Sequence, residues 1–263
     1  VQQFIFMGAD NKKRENLISD IKSAKISTRT LSKSVRVQKV SNDEQYEDML
    51  KLRYDAYKAA SKVPDGWTYK DFADKYDKHS IQYIVTVNQF VVGTFRLTYS
   101  ESVDQTFPFE EKEPFAEKIG FGRAEVFEVN KLAIMPELQR SDLVILIFRK
   151  VAEEGVKNNK NLLIFSTKAL RKMYFKLGAT QVSGEYPHPT IKNESLALLV
   201  LPVQVYLTGR GMAGTSWQLI SKPIIEHLNR FGIKTVSLFN PRQKIKYFFE
   251  SLYLSLKGKN RKK

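Results

Sequence analysis

The sequence predicts a mixed α/β (α+β) domain, a central sheet with flanking helices, followed by a C-terminal helical extension. Two stretches carry this prediction. Between Phe127 and Gly178 the chain reads strand, helix, strand, helix: FEVNKLAIMP, QRSDLVILIFRKVAEEGVK, NLLIFSTK and ALRKMYFKLGA, the last stopped by glycine. Upstream, IQYIVTVNQFVVGTFRLTYS reads as a hairpin, Ile81 to Val87 and Phe90 to Tyr99 around a turn at Asn88 and Gln89. With 263 residues, no internal repeat and no interdomain linker, one domain is expected.

The remaining elements follow in order. Residues 1–36 form a basic segment, with NKKRENLISDIKSAK helical and STRTLSKS loose. Val35 to Val40 alternates as a first strand, opening a core of residues 37–207. In SNDEQYEDMLKLRYDAYKAA, Ser41 or Asn42 caps a helix whose first turn is acidic, and Tyr46, Met49, Leu50, Arg53, Tyr54 and Tyr57 recur at helical spacing. Lys62 to His79 reads as a long polar connection. Glu101 to Gly122 reads as a loop with a short helix at Pro114 to Lys118, and Ser195 to Tyr206 as an apolar strand. Residues 208–263 form the extension. TGRGMAGTS lacks the G-K-[ST] of a phosphate loop and is expected to be a flexible connection to Trp217. SWQLISKPIIEHLNRFG and Arg242 to Leu256 are helical, and the second ends in a basic tail. Ile245, Phe248, Phe249, Leu252 and Leu256 share a face, read first as core and second as peripheral contact with an anionic membrane.

Composition excludes several chemistries. The chain has no cysteine, so it has no disulfide, thiolate metal site or cysteine nucleophile. His79, His188 and His227 lack ligand spacing, so no metal is expected. The apolar run Ser195 to Leu207 is broken by Pro202 and Gln204 and is too short for a bilayer. No signal-peptide pattern is seen, so a cytoplasmic location, with peripheral contact at the inner membrane surface as an extension, is expected. A net charge of +15 favours acidic partners, yet no nucleic-acid-reading signature is present. An acyl carrier protein, acidic as a class, fits such a surface.

LRYDAYKAA, DFADKYDKHSIQYIV and VVGTFRLT, in this order, resemble the N-terminal half of the acyl-homoserine lactone synthases and the related N-acyl amino acid synthases of the GNAT superfamily. ALRKMYFKLGA resembles the GNAT Y-x-x-L-G-F/A element through Tyr174, Leu177 and Gly178. The resemblance covers roughly residues 40–207, and the length beyond it looks more like the N-acyl amino acid synthases. It implies a GNAT-like mixed sheet and an acyltransferase. It also implies an active site lined by Arg53, Asp74, Asp77, Arg96 and Glu128, with Lys131 where lactone synthases usually carry Arg. One departure is Phe72, where an acidic residue often precedes the first aspartate by two positions.

Amide formation from a thioester needs a deprotonated amine, a stabilised oxyanion and a proton for the thiolate. Glu128 is the candidate base, with a pKa raised by its apolar strand; the alternative is a salt bridge to Lys131 or Arg123. Tyr174 is the candidate acid, against an ordinary core aromatic. Backbone N–H groups around Leu132, Ala133 and Ile134, freed by a bulge, are implied for the thioester oxygen. Arg53 is expected to pair with Asp74 or Asp77 beside the acceptor pocket, and Arg96 to bind the acceptor's carboxylate in a bidentate fashion. Enzymes using coenzyme A carry [RQ]-x-x-G-x-[GA] at the next helix; here Gln139-Arg140-Ser141-Asp142-Leu143-Val144 fills both glycine positions. Arg140 and Ser141 suit the single phosphate of phosphopantetheine.

The expectation is therefore an N-acyltransferase moving a fatty acyl chain from acyl carrier protein to the amine of an amino acid or similar small molecule. It would hold no tightly bound cofactor, and acyl-CoA is the less favoured donor. The alternatives are a lactone synthase using S-adenosylmethionine, or a non-catalytic module that binds carrier protein or anionic membrane.

Overall fold

The computed structural model describes residues 15, 16 and 19 and residues 35–230, apart from 88, 103, 116–118, 140, 142 and 189–193. Most of the expected N-terminal helix, most of the short helix expected at Pro114 to Lys118, and the helix from Arg242 to Leu256 with its basic tail lie outside the described residues.

The chain runs β1 (Val35–Lys39), α1 (Asp43–Ala59), β2 (Ser80–Val87), β3 (Phe90–Thr98), β4 (Val126–Ile134), α2 (Leu143–Asn158), β5 (Asn161–Thr167), α3 (Lys168–Lys176), β6 (Thr180–Gln181), β7 (Tyr186–Pro187) and β8 (Ser195–Leu201). The strands form one sheet in the order β1-β2-β3-β4-β5-β8-β6, with β7 also on β8. Every pairing is antiparallel except that of β4 with β5, which α2 connects. This is the GNAT-like mixed sheet that the sequence predicts. Helix α1 starts where the acidic first turn places it: Asn42 Oδ1 accepts the Gln45 N–H at 2.9 Å, and Asp43 and Glu44 follow.

Two features of the sheet position the site. First, β4 and β5 are paired only at Val126, Phe127 and Glu128, opposite Asn161, Leu162 and Leu163, although both strands continue. A bulge in β4 accompanies the parting. Opposite β3 the register passes from Arg96↔Asn130 to Thr94↔Ala133, so Lys131 and Leu132 together face Phe95, and Lys131 takes φ +50°. Second, the two faces of β2–β4 differ in chemistry. Tyr83, Phe95, Leu97, Phe127 and Val129 are buried in the main core with Leu143, Ile147 and Val151 of α2, and Tyr83 stacks on Phe95 at 4.7 Å. The opposite face carries two cross-strand polar rows, Gln82↔Arg96↔Asn130 and Ser80↔Thr98↔Glu128. Helix α1 packs over this polar face, sealed at its far side by Met49, Leu50, Phe72 and Ile84.

The structure corrects three expectations. The strand expected to run from Ser195 to Tyr206 ends at Leu201, because Pro202 has no N–H to pair and instead caps a short helix, α4 (Val203–Thr208). Gly209 closes α4 at φ +66°, and a Cβ there would lie 2.5 Å from Trp217 Cδ1, so TGRGMAGTS begins as a packed turn against Trp217. The polar connection before β2 holds two 3₁₀ turns, Tyr69–Phe72 and Lys75–His79, pinned by buried Phe72 and Tyr76.

Helix α3 ends at a similarly constrained glycine. Gly178 has φ +91°, and its Cβ would lie 2.6 Å from Val205 Cγ1. Gly178→Ala is expected to lower stability by about 2–4 kcal/mol in denaturant unfolding, through backbone strain and overpacking together. Gly184→Ala, with open space around it and no left-handed backbone, serves as the near-neutral control.

Candidate active site

Glu128 lies on the polar face at the last β4 position still paired to β5. It is 2% exposed. The loop after β3 folds over it, burying Phe107 and Phe109, and the Phe109 N–H donates to Glu128 Oε2 at 3.2 Å. Burial pushes its carboxyl up to about 8, against the Phe109 N–H, the Arg96 charge and the Asn130 amide, which all favour the ionised form. Neither cation considered as a salt-bridge partner reaches it. Lys131 pairs with Asp74 Oδ2 at 3.3 Å, and Arg123 is held by both oxygens of Glu110.

Arg96 is the hub of the charged cluster. Its Nε donates to Asn130 Oδ1 at 2.6 Å, and its Nη1 to Asp74 Oδ1 at 2.5 Å and Asp77 Oδ1 at 2.7 Å. The two aspartates arrive together because Asp74 caps the turn Lys75–His79: its Oδ1 accepts the Tyr76 N–H, while Asp77 Oδ2 accepts the Asp74 N–H. Burial disfavours charge on Asp74, but Arg96 and Lys131 outweigh it and hold the carboxyl below its usual range. Burial works against the Arg96 charge as well; the aspartates outweigh it and raise its pKa. The Lys131 ammonium is pushed down, by burial first, with Asp74 opposing and the Arg96 and Arg53 charges adding to the fall. Arg96 is 1% exposed and its Nη1 and Nε are occupied, so the bidentate acceptor site expected at this residue is not available on those nitrogens.

Arg53 makes no direct ion pair with either aspartate, contrary to the expectation. Its Nη2 donates to Gln82 Oε1 at 2.7 Å and Thr94 Oγ1 at 3.2 Å, and Gln82 Nε2 passes the link to Asp77 Oδ1 at 2.5 Å. Tyr46 O–H donates to Asp77 Oδ2 at 2.6 Å. Gln82, Asn130 and Tyr46 were thus missed from sequence. The signal for Gln82 and Asn130 is a period-two polar pattern (Thr94, Arg96, Thr98; Glu128, Asn130) on strands that are otherwise core, whereas Tyr46 lies on α1 and carries no such signal.

Tyr174 lies on α3, 5% exposed, edge-on to Phe148 of α2 at 5.7 Å. Burial raises its pKa, so the phenol holds its proton firmly, and the neighbouring Tyr57 adds to the shift. Burial also raises the Tyr57 pKa, with the Arg53 and Arg96 charges opposing it. Leu132, Ala133 and Ile134 follow the bulge residue Lys131, on the part of β4 that has left β5. Ser141 Oγ accepts the Leu143 N–H at 3.4 Å at the start of α2; Arg140 lies outside the described residues. Among the described residues no helix is long and apolar enough to cross a membrane.

The arrangement therefore offers a buried carboxyl poised near neutrality, a parted parallel strand pair beside it, and a charged cluster under α1. Comparison with known structures finds the same fold in FeeM, an N-acyl amino acid synthase from uncultured soil microbes, with 16% identity, TM-score 0.53, and 65% of this chain and 91% of that chain covered. TofI, solved in a ternary complex with an inhibitor and MTA, matches with 14% identity, TM-score 0.50, and the same coverage of 65% and 91%. No curated protein sequence matches. The family model described as N-acyl amino acid synthase FeeM matches residues 48–202, which run from within α1 past the end of β8 and hold every member of the charged cluster except Tyr46. The chain belongs to the FeeM family of N-acyl amino acid synthases and is an N-acyltransferase.

Proposed function

We propose that the protein transfers a long acyl chain from acyl carrier protein to the α-amine of an amino acid, with Glu128 as the base. The observation that carries this reading is the buried Glu128 carboxyl, raised to about 8, at the point where β4 and β5 part. The thioester arm enters between the parted strands, on the edge of β4 that β5 no longer covers. The acceptor ammonium gives a proton to the Glu128 carboxylate, a transfer between groups of similar pKa. The free amine attacks the thioester carbon, and backbone N–H groups of Leu132 to Ile134 receive the oxyanion. The C–S bond then breaks, and the thiolate takes the Tyr174 proton. The new amide nitrogen gives its surplus proton to the phenolate through the acceptor site, and the Glu128 carboxylic acid releases the first proton to water, returning both groups to their starting states. Asp74, Asp77, Arg96 and Lys131 hold the acceptor pocket in shape.

Two observations favour a carrier protein over free coenzyme A. The helix start at Gln139 to Val144 has neither glycine that a diphosphate cradle uses, and Ser141 there, with Arg140 beside it in sequence, suits a single phosphate. Helix α3, which leaves β5 at the parted end, exposes Lys168, Lys172 and Lys176 around Leu170 and Phe175, the latter two 43% and 44% exposed. A basic face with apolar knobs suits an acidic helical partner.

Lys172→Glu with Lys176→Glu is expected to raise KM for a long-chain acyl carrier protein about 10–100-fold, with kcat changed less than about three-fold, by reversing charges at a rim. The same pair should leave KM for the matching acyl-CoA within about three-fold. Equal losses with both donors, or a wild-type kcat/KM higher for acyl-CoA, would contradict the carrier-protein donor.

A further inference from the structure

Arg53 is the one fully buried cation of the cluster with donors left over. It is 0% exposed, and Nη2 alone is bonded; Nε and Nη1 have no partner although both are enclosed. A buried guanidinium with unsatisfied N–H groups is costly, because water's hydrogen bonds have been lost and nothing replaces them. The cluster's own anions are taken. Asp77 receives Tyr46, Gln82, Arg96 and the Asp74 N–H, while Asp74 receives Arg96, Lys131 and the Tyr76 N–H.

Charge gives the same answer as hydrogen bonding. Arg53, Arg96 and Lys131 face two aspartates, and Glu128, with its pKa near 8, is largely uncharged at neutral pH. One positive charge is unmatched. Burial first, and the Arg96 charge second, lower the Arg53 pKa to about 10, with Asp77 opposing them. Arg53 Nη2 bonds to Gln82, Gln82 is in register with Arg96 and Asn130, and Asn130 directly precedes the bulge residue Lys131, so Arg53 belongs to the same cluster as the strand edge assigned to the thioester.

We propose that the unfilled Nε and Nη1 of Arg53 receive the carboxylate of the acceptor, making Arg53 the residue that selects an α-amino acid over an uncharged amine. This deepens the N-acyl amino acid reading and rests on it. An α-amino acid carries its carboxylate on the carbon next to the amine, so one molecule places an anion at Arg53 while presenting nitrogen to Glu128. A methyl ester or a decarboxylated amine presents the nitrogen but leaves the guanidinium unmatched. Arg96 is then a positioning residue, filled by the protein itself, and Arg53 is the one that touches substrate.

The test uses the full chain with a dodecanoyl carrier protein and two acceptor sets: leucine, leucine methyl ester and 3-methylbutylamine; phenylalanine, its methyl ester and 2-phenylethylamine. The readout is the kcat/KM ratio of acid to ester and of acid to amine, with products counted by mass spectrometry. For wild type at least one set should give a ratio of about 30–100, the scale of a charge-assisted hydrogen bond to a buried cation. Arg53→Gln should bring that ratio to within about three-fold of one, and Arg53→Lys should lower it about ten-fold. A wild-type ratio near one overturns the inference without any variant, as does a ratio unchanged in Arg53→Gln; if that variant does not fold, Arg53→Lys decides. Ready acylation of amines and esters with no amino acid acylated overturns the N-acyl amino acid reading as well. Acylated amino acids with no preference over esters overturn only the role of Arg53.

Discussion

Glu128→Gln is expected to lower kcat/KM by about 10²–10⁴-fold, the range a positioned general base contributes, while making the folded protein more stable in mild alkali. The side chain keeps its shape and can still accept the Phe109 N–H, so the loop over the site should stay in place. Wild-type kcat/KM should rise with pH through about 8, because the ionised carboxyl is the active form and burial delays its ionisation to that pH. In Glu128→Gln that rise should disappear, leaving only the acceptor's own titration. The stability change has the opposite sense. The unfolded chain loses this proton near the ordinary 4.5, the folded protein only near 8, so the folded state binds more protons between those values and its stability falls as pH rises across them. Glutamine has no such proton. The variant's advantage in urea unfolding should therefore be small below pH 4.5 and grow towards a limit of about 5 kcal/mol above pH 8, at about 1.4 kcal/mol per pKa unit. A variant that is equally active, or less stable at pH 8.5 than at pH 5 relative to wild type, would contradict this assignment.

Arg96→Met should be among the most destabilising substitutions in the sheet. It removes the partner of two aspartates and of Asn130 Oδ1 from a nearly waterless position, leaving the Asp74 and Asp77 carboxylates, which both met Arg96 Nη1, without that shared cation. Breaking a buried pair by deleting one side costs about 3–5 kcal/mol, far more than an exposed pair is worth. Asp74 is held below its ordinary pKa by Arg96 and Lys131, against the effect of burial, so its stabilising contribution is present above about pH 4 and is lost as pH falls through its folded value. The difference between Arg96→Met and wild type should accordingly shrink in acid. Adding Asp74→Asn and Asp77→Asn should recover part of the loss at neutral pH. Guanidinium unfolding at pH 7.5 and at pH 3.5 measures both effects, and a loss under about 1 kcal/mol at pH 7.5 would show that the cluster is not the structural centre described.

The sequence made some of this site legible and concealed the rest for identifiable reasons. Glu128 stood out because a lone carboxylate sits within FEVNKLAIMP, a segment otherwise suited to burial. The hairpin, α1 and the strand–helix–strand unit were readable because each is long and strongly periodic. Gln82 and Asn130 were not, because a polar residue at every second strand position usually faces water. Here α1 covers that face, and only the register Gln82↔Arg96↔Asn130 turns three separate polar residues into one row. The partner of Arg53 was misassigned for a related reason: the sequence offered two aspartates, but the capping turn aims both at Arg96. The position of the β4 bulge depends on Lys131 adopting a left-handed backbone, which no residue preference announces. Strands β6 and β7 span two residues each, too short to leave a periodic signal.

In the proposed reaction Glu128, at the parting of β4 and β5, drives transfer of a long acyl chain onto an amino acid. The decisive experiment is mass spectrometry of the products formed by wild type and Glu128→Gln from a long-chain acyl carrier protein and a mixture of amino acids. The expected result is an N-acyl amino acid from wild type, without added S-adenosylmethionine, and a yield at least about 100-fold lower from Glu128→Gln. Transfer of acetyl groups from acetyl-CoA with no long-chain product, or undiminished yield from Glu128→Gln, would contradict it.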